Sequence, residues 1–164
     1  MLPRLPPAWL AAVRIAIASD HAGYRLKDAL TRHLRAAGHE VDDLGTDSEA
    51  PVDYPPFCAA AARAVVRGAA DAGVVIGGSG QGEAIAANKV RGARTALCHD
   101  ETTARLARQH NDANLLSLGA RIVGEDLAFA IADVFFSTGF EGGRHVPRLA
   151  EITVIEDEEA AGGA

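Results

Sequence analysis

The chain has 164 residues, of which 48% are hydrophobic and 23% charged, and its formal net charge is −6 at pH 7. This length and composition fit one globular domain with a substantial core. The negative charge argues against nucleic acid as a partner, because the chain has no excess of basic residues with which to displace counterions from phosphates.

Both ends of the chain are predicted to lie outside the domain. The apolar stretch of residues 1–12 contains three prolines, and Arg14 ends the apolar run soon after it. It is therefore unlike a signal peptide, and no run approaches the ~20 apolar residues that span a membrane. We expect a cytoplasmic protein with an N-terminal extension at 1–12, a domain at 13–155 and a flexible acidic tail at 156–164.

Strand-like and helix-like patterns alternate between these ends. In chain order, strands are predicted over 13–19, 39–45, 72–77, 93–99 and 113–119, and helices over 24–38, 55–70, 100–109, 124–139 and 147–156. In the first helix Leu26, Leu30 and Leu34 recur at helical spacing, and Gly38 is a natural residue to follow a helix end. Strands separated by helices predict a single-domain α/β/α sandwich, Rossmann-like or flavodoxin-like, with a five-stranded parallel sheet.

The loop after the third predicted strand is rich in glycine. The segment VVIGGSGQGEAIAANK (74–89) has the layout of an anion-binding loop, in which backbone N–H groups at a helix N-terminus face the ligand. Gly82 is followed by Glu83, so the segment lacks the Lys-Ser/Thr pair of a P-loop and the third glycine of a dinucleotide fingerprint. A nucleotide site is therefore not indicated.

Residues after the first strand are expected to face this loop. Ligands of open α/β sheets bind beyond the carboxyl ends of the strands, so neighbouring first and third strands would bring Asp20 and His21 opposite Ser79 and Glu83. The helix dipole and nearby N–H groups would help Glu83 to stay ionised. A base beside an anion site suits proton abstraction next to a carbonyl, although a glutamate in a first helical turn is also an ordinary capping feature.

Two later segments carry further polar residues. His110 and Asn111 lie where the fourth helix ends, and a histidine there also complements a helix C-terminus. Arg144 and Arg148 lie on either side of the predicted start of the last helix, and two forked guanidinium groups suit a phosphate. Cys58 and Cys98 form no metal-binding or redox motif and are expected to be buried apolar residues.

Five segments together resemble the ribose/galactose sugar-phosphate isomerase family, which includes the ribose-5-phosphate isomerases B. They are IASDHAG (17–23), DYP (53–55), GGSGQGEAIAANKV (77–90), RQHNDANLLSLGAR (108–121) and EGGRHVPR (141–148), in that order. The resemblance covers about Arg14 to Ile155, so residues 1–12 have no counterpart. It implies a cofactor-free and metal-free aldose–ketose isomerase that interconverts ribose 5-phosphate and ribulose 5-phosphate in the pentose phosphate pathway through a cis-enediolate.

The resemblance also implies roles for individual residues. One branch of the family has a catalytic cysteine at the position of Gly77, whereas the other has its base at Glu83, which places this chain in the glutamate branch. His110 matches the acid that opens the sugar ring. The residues expected to bind substrate are Asp20, His21, Tyr54, Ser79, Gly80, Gln81, Gly82, Asn111, Arg121, Arg144 and Arg148.

The family resemblance implies a homodimer or a tetramer whose active sites draw residues from two subunits. Two other functions stay open on the sequence. One is isomerisation of a six-carbon sugar phosphate such as allose 6-phosphate, which depends on the depth of the pocket. The other is a phosphate-binding regulatory module without catalysis, which would use the same fold.

Overall fold

The computed structural model describes residues 12–162. The strands are β1 (Arg14–Ser19), β2 (Glu40–Asp43), β3 (Ala72–Gly77), β4 (Thr95–Leu97) and β5 (Leu115–Gly119). The helices are α1 (Tyr24–Ala36), α2 (Tyr54–Val66), α3 (Gln81–Ala87), α4 (Glu101–Asn111), α5 (Glu125–Ser137) and α6 (Val146–Gly162), with a 3₁₀ helix at Gly143–His145. The predicted extension at 1–12 lies, apart from Ala12, outside the described residues.

The five strands form one parallel sheet in the order β2-β1-β3-β5-β4. This confirms the predicted fold class and the neighbouring placement of β1 and β3. The central strand β3 is buried along its whole length, as expected for a strand covered on both faces. The sheet order reverses between β1 and β3, so the carboxyl ends of these strands flank the predicted ligand crevice.

Two cores cover the two faces of the sheet, because side chains alternate along each strand. Ile15 and Ile17 point toward α1, α4 and α5, where Leu30 and Phe135 are fully buried. The opposite face is lined by small residues and is covered by α2 and α3, and Cys58 is fully buried there. Cys98 is buried in the first core, so the expectation that both cysteines are buried is confirmed.

Helix α6 differs most from the sequence-based expectation. It continues to Gly162, through most of the segment predicted as a flexible tail at 156–164. The Glu156 carboxylate accepts a hydrogen bond from the Gly92 N–H at 3.2 Å, and Asp157 pairs with Arg91. Glutamate and alanine also have high helix propensity, which favours continuation of the helix.

The edge strands are shorter than predicted. β4 contains only Thr95–Leu97 of the predicted 93–99, and β2 contains Glu40–Asp43 of 39–45. Each pairs with a neighbour on one side only, so fewer of its residues are held in a ladder. Within residues 12–162, no helix combines the length and the apolar character required to cross a bilayer.

Candidate active site

The loop between β3 and α3 has a conformation that only glycine satisfies at Gly80. Its φ is +78°, and a Cβ built there would lie 2.6 Å from Leu97 Cδ1. The Ser117 hydroxyl donates a hydrogen bond of 2.7 Å to the Gly80 carbonyl, which fixes the turn against β5. Helix α3 begins at the next residue, so Glu83 occupies its first turn.

The Glu83 side chain folds back over Gly77. Glu83 is only 4% exposed, and a Cβ built on Gly77 would lie 1.8 Å from its Oε1 atom. Any larger residue at position 77 must therefore displace the carboxylate. Gly77, the position at which the resemblance implies a cysteine in the other branch of the family, thus provides the space that the Glu83 side chain fills.

Burial raises the pKa of Glu83. The main cause is loss of hydration, and the negative charge of Asp20 acts in the same direction, while the backbone N–H groups of Glu83 and Gly80 oppose it. The sequence led us to expect a carboxylate kept ionised by the helix dipole and N–H donors, and in the structure desolvation outweighs these effects. A raised carboxyl pKa brings a general base closer to neutral pH, where proton transfer is most effective.

Other predicted residues surround Glu83 at the carboxyl ends of the strands. Asp20 follows β1, is nearly buried, and accepts a hydrogen bond from the Gly23 N–H at 3.0 Å. His21 contacts the Val52 backbone through Nδ1 at 3.2 Å. We call this set the carboxyl-edge group, and its members are Asp20, His21, Tyr54, Ser79, Gly80, Gln81, Gly82, Glu83 and Arg121.

The walls of this site are formed by Tyr54 and Arg121. A Cβ on Gly82 would lie 2.6 Å from Tyr54 Cζ, so the ring packs directly on the loop. The Arg121 guanidinium lies over Gly78, whose added Cβ would be 3.1 Å from Nη1. Arg121 is exposed, so its positive charge lies over the loop next to Gly77, on which the Glu83 carboxylate packs.

The remaining predicted residues lie at the opposite edge of the sheet. Helix α4 starts at the carboxyl edge, where the Asp100 side chain caps it by accepting from the Thr103 N–H at 2.7 Å. The helix has 11 residues, so it spans about 16 Å and delivers His110 and Asn111 to the amino ends of the strands. Arg94, which precedes β4, confirms this position because its Nε donates to the Asn111 carbonyl at 3.1 Å.

Arg144 and Arg148 belong to the segment that contacts His110 through His145. The ring of His145 stacks on His110 with centroids 4.4 Å apart. Burial lowers the pKa of His145, and the positive charges of His110, Arg144 and Arg148 act in the same direction. The Glu141 N–H donates to the Gln109 carbonyl at 3.0 Å, which ties this segment to the end of α4. We call His110, Asn111, Arg144 and Arg148 the amino-edge group.

A single chain therefore brings together the carboxyl-edge group and, separately, the amino-edge group. A cavity of about 400 Å³ at the amino edge, between α6 and β4, includes Asn111 and Arg94 in its lining. Glu83 does not line this cavity. The separation follows from the parallel topology, since a helix that leaves one edge must return to the other before the next strand begins.

Sequence reasoning missed several residues of the amino edge. Arg108 is buried and donates to the Asp112 carboxylate at 2.9 Å, and Arg94 also donates to the Asp112 carbonyl. Asp112 adopts a positive φ of 43°, so the two arginines hold the turn that follows His110 and Asn111. The i, i+4 spacing of Arg108 and Asp112 was the available signal.

Comparison with protein families shows to which family this chain belongs. The family model for ribose/galactose isomerase matches residues 15–152 of the chain. The chain belongs to the ribose/galactose isomerase family. The match covers both the carboxyl-edge and the amino-edge groups, as the five resembling segments predicted.

Relatives in this family include proteins named ribose-5-phosphate isomerase B. That of Escherichia coli K12 is 45% identical over 143 residues, covering 87% of this chain and 96% of the relative. That of Mycobacterium tuberculosis H37Rv is 45% identical over 142 residues, covering 85% of this chain and 88% of the relative.

The fold of this chain is also similar to solved structures of proteins from this family. Ribose-5-phosphate isomerase B of Clostridium thermocellum has a TM-score of 0.88 at 48% identity, with 89% of this chain and 99% of that chain covered. The Mycoplasma genitalium enzyme, solved with bound ribulose 5-phosphate, has a TM-score of 0.85 at 43% identity, with 88% of this chain and 97% of that chain covered.

The fit between Gly77 and Glu83 yields a testable expectation for this family member. Gly77→Ala should lower kcat for its sugar phosphate by about 10²-fold, because the added methyl displaces the Glu83 carboxylate by an ångström or more. Gly124→Ala is the matched control, since a Cβ there meets no atom of residues 12–162 within 4 Å. Steady-state kinetics of both variants test this, and equal activities would show that the position of Glu83 is unimportant.

Proposed function

We propose that this protein interconverts D-ribose 5-phosphate and D-ribulose 5-phosphate. The observation that carries the proposal is the buried Glu83 carboxylate, packed on Gly77 next to Asp20 in the loop after β3. Family membership and relatives named for this reaction support the choice of substrate. A phosphate-binding module would not require a carboxylate whose pKa is raised by burial.

Glu83 acts as the base in the proposed mechanism. After the sugar ring opens, its carboxylate takes the proton from C2 of the aldose, leaving a cis-enediolate. A proton then moves from the C2 hydroxyl to the C1 oxygen, and Glu83 returns its proton to C1 to give the ketose. Because hydrogen moves within one molecule, the reaction requires no external oxidant or reductant. The reaction therefore depends on the protonation of Glu83 and on the stabilisation of the enediolate oxygen.

Loop N–H groups between Gly80 and Glu83 stabilise the enediolate oxygen in this proposal. Such donors contribute about 3–4 kcal/mol each in comparable oxyanion sites. The backbone N–H groups of Gly80 and Glu83 attract the ionised form of the Glu83 carboxyl and so act to lower its pKa, against the effect of burial. Proton uptake by Glu83 weakens that attraction just as negative charge forms on the substrate, so the same donors become available to the enediolate.

Ring opening is assigned to His110, with Asn111 binding sugar hydroxyls and Arg144 and Arg148 binding the phosphate. These residues lie at the amino edge, about 16 Å of helix away from the start of α4 at the carboxyl edge. They cannot reach Glu83 of the same chain. We therefore propose that two copies share each site, with the amino edge of one facing the carboxyl edge of the other.

Exposed apolar residues support this pairing. None of the side chains of α6, Val146–Gly162, is buried against residues 12–162. Between 42% and 62% of the surface of each of five apolar residues is exposed on α3 and α6: Ile85, Val146, Ile152, Val154 and Ile155. A two-fold symmetric dimer would cover such a surface and create two equivalent shared sites.

Substrate conversion tests the proposed activity directly. Ribulose 5-phosphate formation from ribose 5-phosphate is followed by absorbance, and allose 6-phosphate is assayed in parallel. We expect the higher kcat/KM with the five-carbon sugar. A preference for allose 6-phosphate would assign the six-carbon reaction instead, and binding without turnover of either sugar would indicate a regulatory module.

The proposed phosphate site predicts a specific change in inhibition. Arg144→Ala should raise KM and lower kcat, because binding energy from the phosphate also orients the reacting carbons. Inorganic phosphate should compete with substrate in the wild type and at least about tenfold more weakly in the variant, the loss expected for one charge-assisted contact. Arg148→Lys should weaken binding less severely, since a point charge replaces a forked guanidinium.

The inhibition constant for phosphate is the decisive measurement for these arginines. Arg63→Ala is a suitable control because Arg63 is an exposed residue of α2 outside both edge groups. If wild type and Arg144→Ala have the same phosphate inhibition constant, the arginines are a solvated surface pair.

A further inference from the structure

Three potential metal ligands converge at the amino edge. Nε2 of His145 lies 3.8 Å, and Nε2 of His110 lies 4.0 Å, from Oε2 of Glu141. One ligand atom from each of these side chains lies within 4.8 Å of the other two. Two imidazoles and one carboxylate are a ligand set that zinc uses in proteins with a fourth position open to water or substrate.

The buried nitrogen of His145 is the second observation. His145 is 5% exposed, and its Nε2 atom has no hydrogen-bond partner among residues 12–162. A buried polar atom without a partner is costly and calls for an explanation, of which a bound ion is one. This nitrogen faces the Glu141 carboxylate, which is half-exposed and can supply negative charge.

We propose that His110, Glu141 and His145 bind a divalent transition metal ion, with Zn²⁺ as the preferred ion, and that the bound ion inhibits the enzyme. Neutral imidazole and carboxylate ligands suit Zn²⁺ better than Mg²⁺ or Ca²⁺, which prefer sites composed of oxygen ligands. The ion is an inhibitor in this proposal and takes no part in the isomerisation.

Binding requires a defined rearrangement of His110. Zinc bonds of about 2.0–2.2 Å place tetrahedral ligand atoms roughly 3.3 Å apart, so the three side chains must close by several tenths of an ångström or more. The two imidazole rings are stacked 13° from parallel, and one ion cannot lie in both ring planes until one ring turns. His110 is the ring that can turn, because its side chain is 34% exposed whereas that of His145 is packed.

This rearrangement explains why the ion would inhibit. Turning His110 onto the metal removes the stacked orientation and occupies its Nε2 atom, and His110 is the side chain assigned to ring opening. The inhibition therefore rests on the proposed function of His110, whereas metal binding does not. The two parts can be tested separately.

Metal binding is tested by calorimetric titration of chelator-treated protein with Zn²⁺, and with Co²⁺, whose visible absorption reports the ligands. We expect one Zn²⁺ per chain. Glu141→Gln should weaken the affinity for Zn²⁺ by more than ~10–100-fold, which is the usual cost of losing a hydrogen-bond partner of a metal ligand. His145→Asn should weaken the affinity by a similar factor. His33→Asn is the matched control, since His33 pairs with Asp133 on a different surface and its loss should leave affinity unchanged.

Inhibition is measured on the same samples. Zn²⁺ should inhibit wild type and His33→Asn, with recovery after a chelator, and should inhibit any residual activity of Glu141→Gln at least about tenfold more weakly. Unchanged Zn²⁺ affinity in both Glu141→Gln and His145→Asn, or an equal loss in His33→Asn, would overturn the metal site. Tight binding through these residues without inhibition would retain the site and overturn the role of His110.

Discussion

Glu83→Gln should lower kcat by at least about 10²-fold, the usual contribution of a positioned general base. The substitution preserves the shape of the side chain and removes its basicity, so the packing against Gly77 is retained. Steady-state kinetics in both directions are the appropriate measurement. Near-normal turnover by the variant would contradict the assignment of Glu83 as the base.

The loss of activity should not come from unfolding. The pKa of Glu83 is raised in the folded state, so its contribution to stability is present at low pH and is lost as pH rises through that pKa. Above that pKa the ionised, buried carboxylate destabilises the fold, and glutamine removes this cost. Thermal unfolding of Glu83→Gln should occur at the same temperature as wild type or higher.

Thiol alkylation provides a control against the chemistry of the other family branch. Burial raises the pKa of Cys58 to about 12 and that of Cys98 to about 11, so neither forms a thiolate near neutral pH. Iodoacetamide under native conditions should leave activity largely intact. Position 77 is a glycine, so no cysteine is available at the place where the other branch has its base. Rapid inactivation would show that another cysteine is needed for activity and would contradict this expectation.

The architecture was predictable because its signals are local and agree with one another. The third predicted strand, 72–77, coincides with β3, where a short apolar run ends at the first glycine of the loop. Leu30 and Leu34 are fully buried, and Gly38 has a φ of +93° after the end of α1, as expected for a residue that terminates a helix. Tertiary packing reinforces these preferences.

Features that depend on distant parts of the chain were not predictable. Lys27 is fully buried and pairs with Asp43, although nothing in the helical pattern of α1 distinguishes it from an exposed lysine. The helical form of residues 156–162 depends partly on contacts with Gly92 and Arg91. Glu83 and His110 were both predicted from the sequence to belong to the active site. Their positions at opposite edges of the sheet could not be predicted from it.

Because Glu83 and His110 lie at opposite edges of the sheet, two inactive variants are expected to restore activity when they are combined in one dimer. Glu83→Gln and His110→Ala should each be nearly inactive alone, yet a heterodimer of the two should recover about half of wild-type activity, because a two-fold dimer has two equivalent sites. One site of the heterodimer combines Glu83 of one copy with His110 of the other and is intact. The other site contains both substitutions.

Co-expression of the two variants with different affinity tags, followed by two purification steps, isolates this heterodimer. The control pairs Glu83→Gln with Asp20→Asn, which lie in the same carboxyl-edge group, so each of its sites retains one defect and its activity should not exceed the mean of the two variants alone. Recovery confined to the Glu83/His110 pair requires a site shared between copies. Absence of recovery in a stable heterodimer would mean that His110 does not act with Glu83 across the interface. Helix α4 also places His110 away from Glu83 of its own chain. In that case His110 would have no part in the chemistry at Glu83.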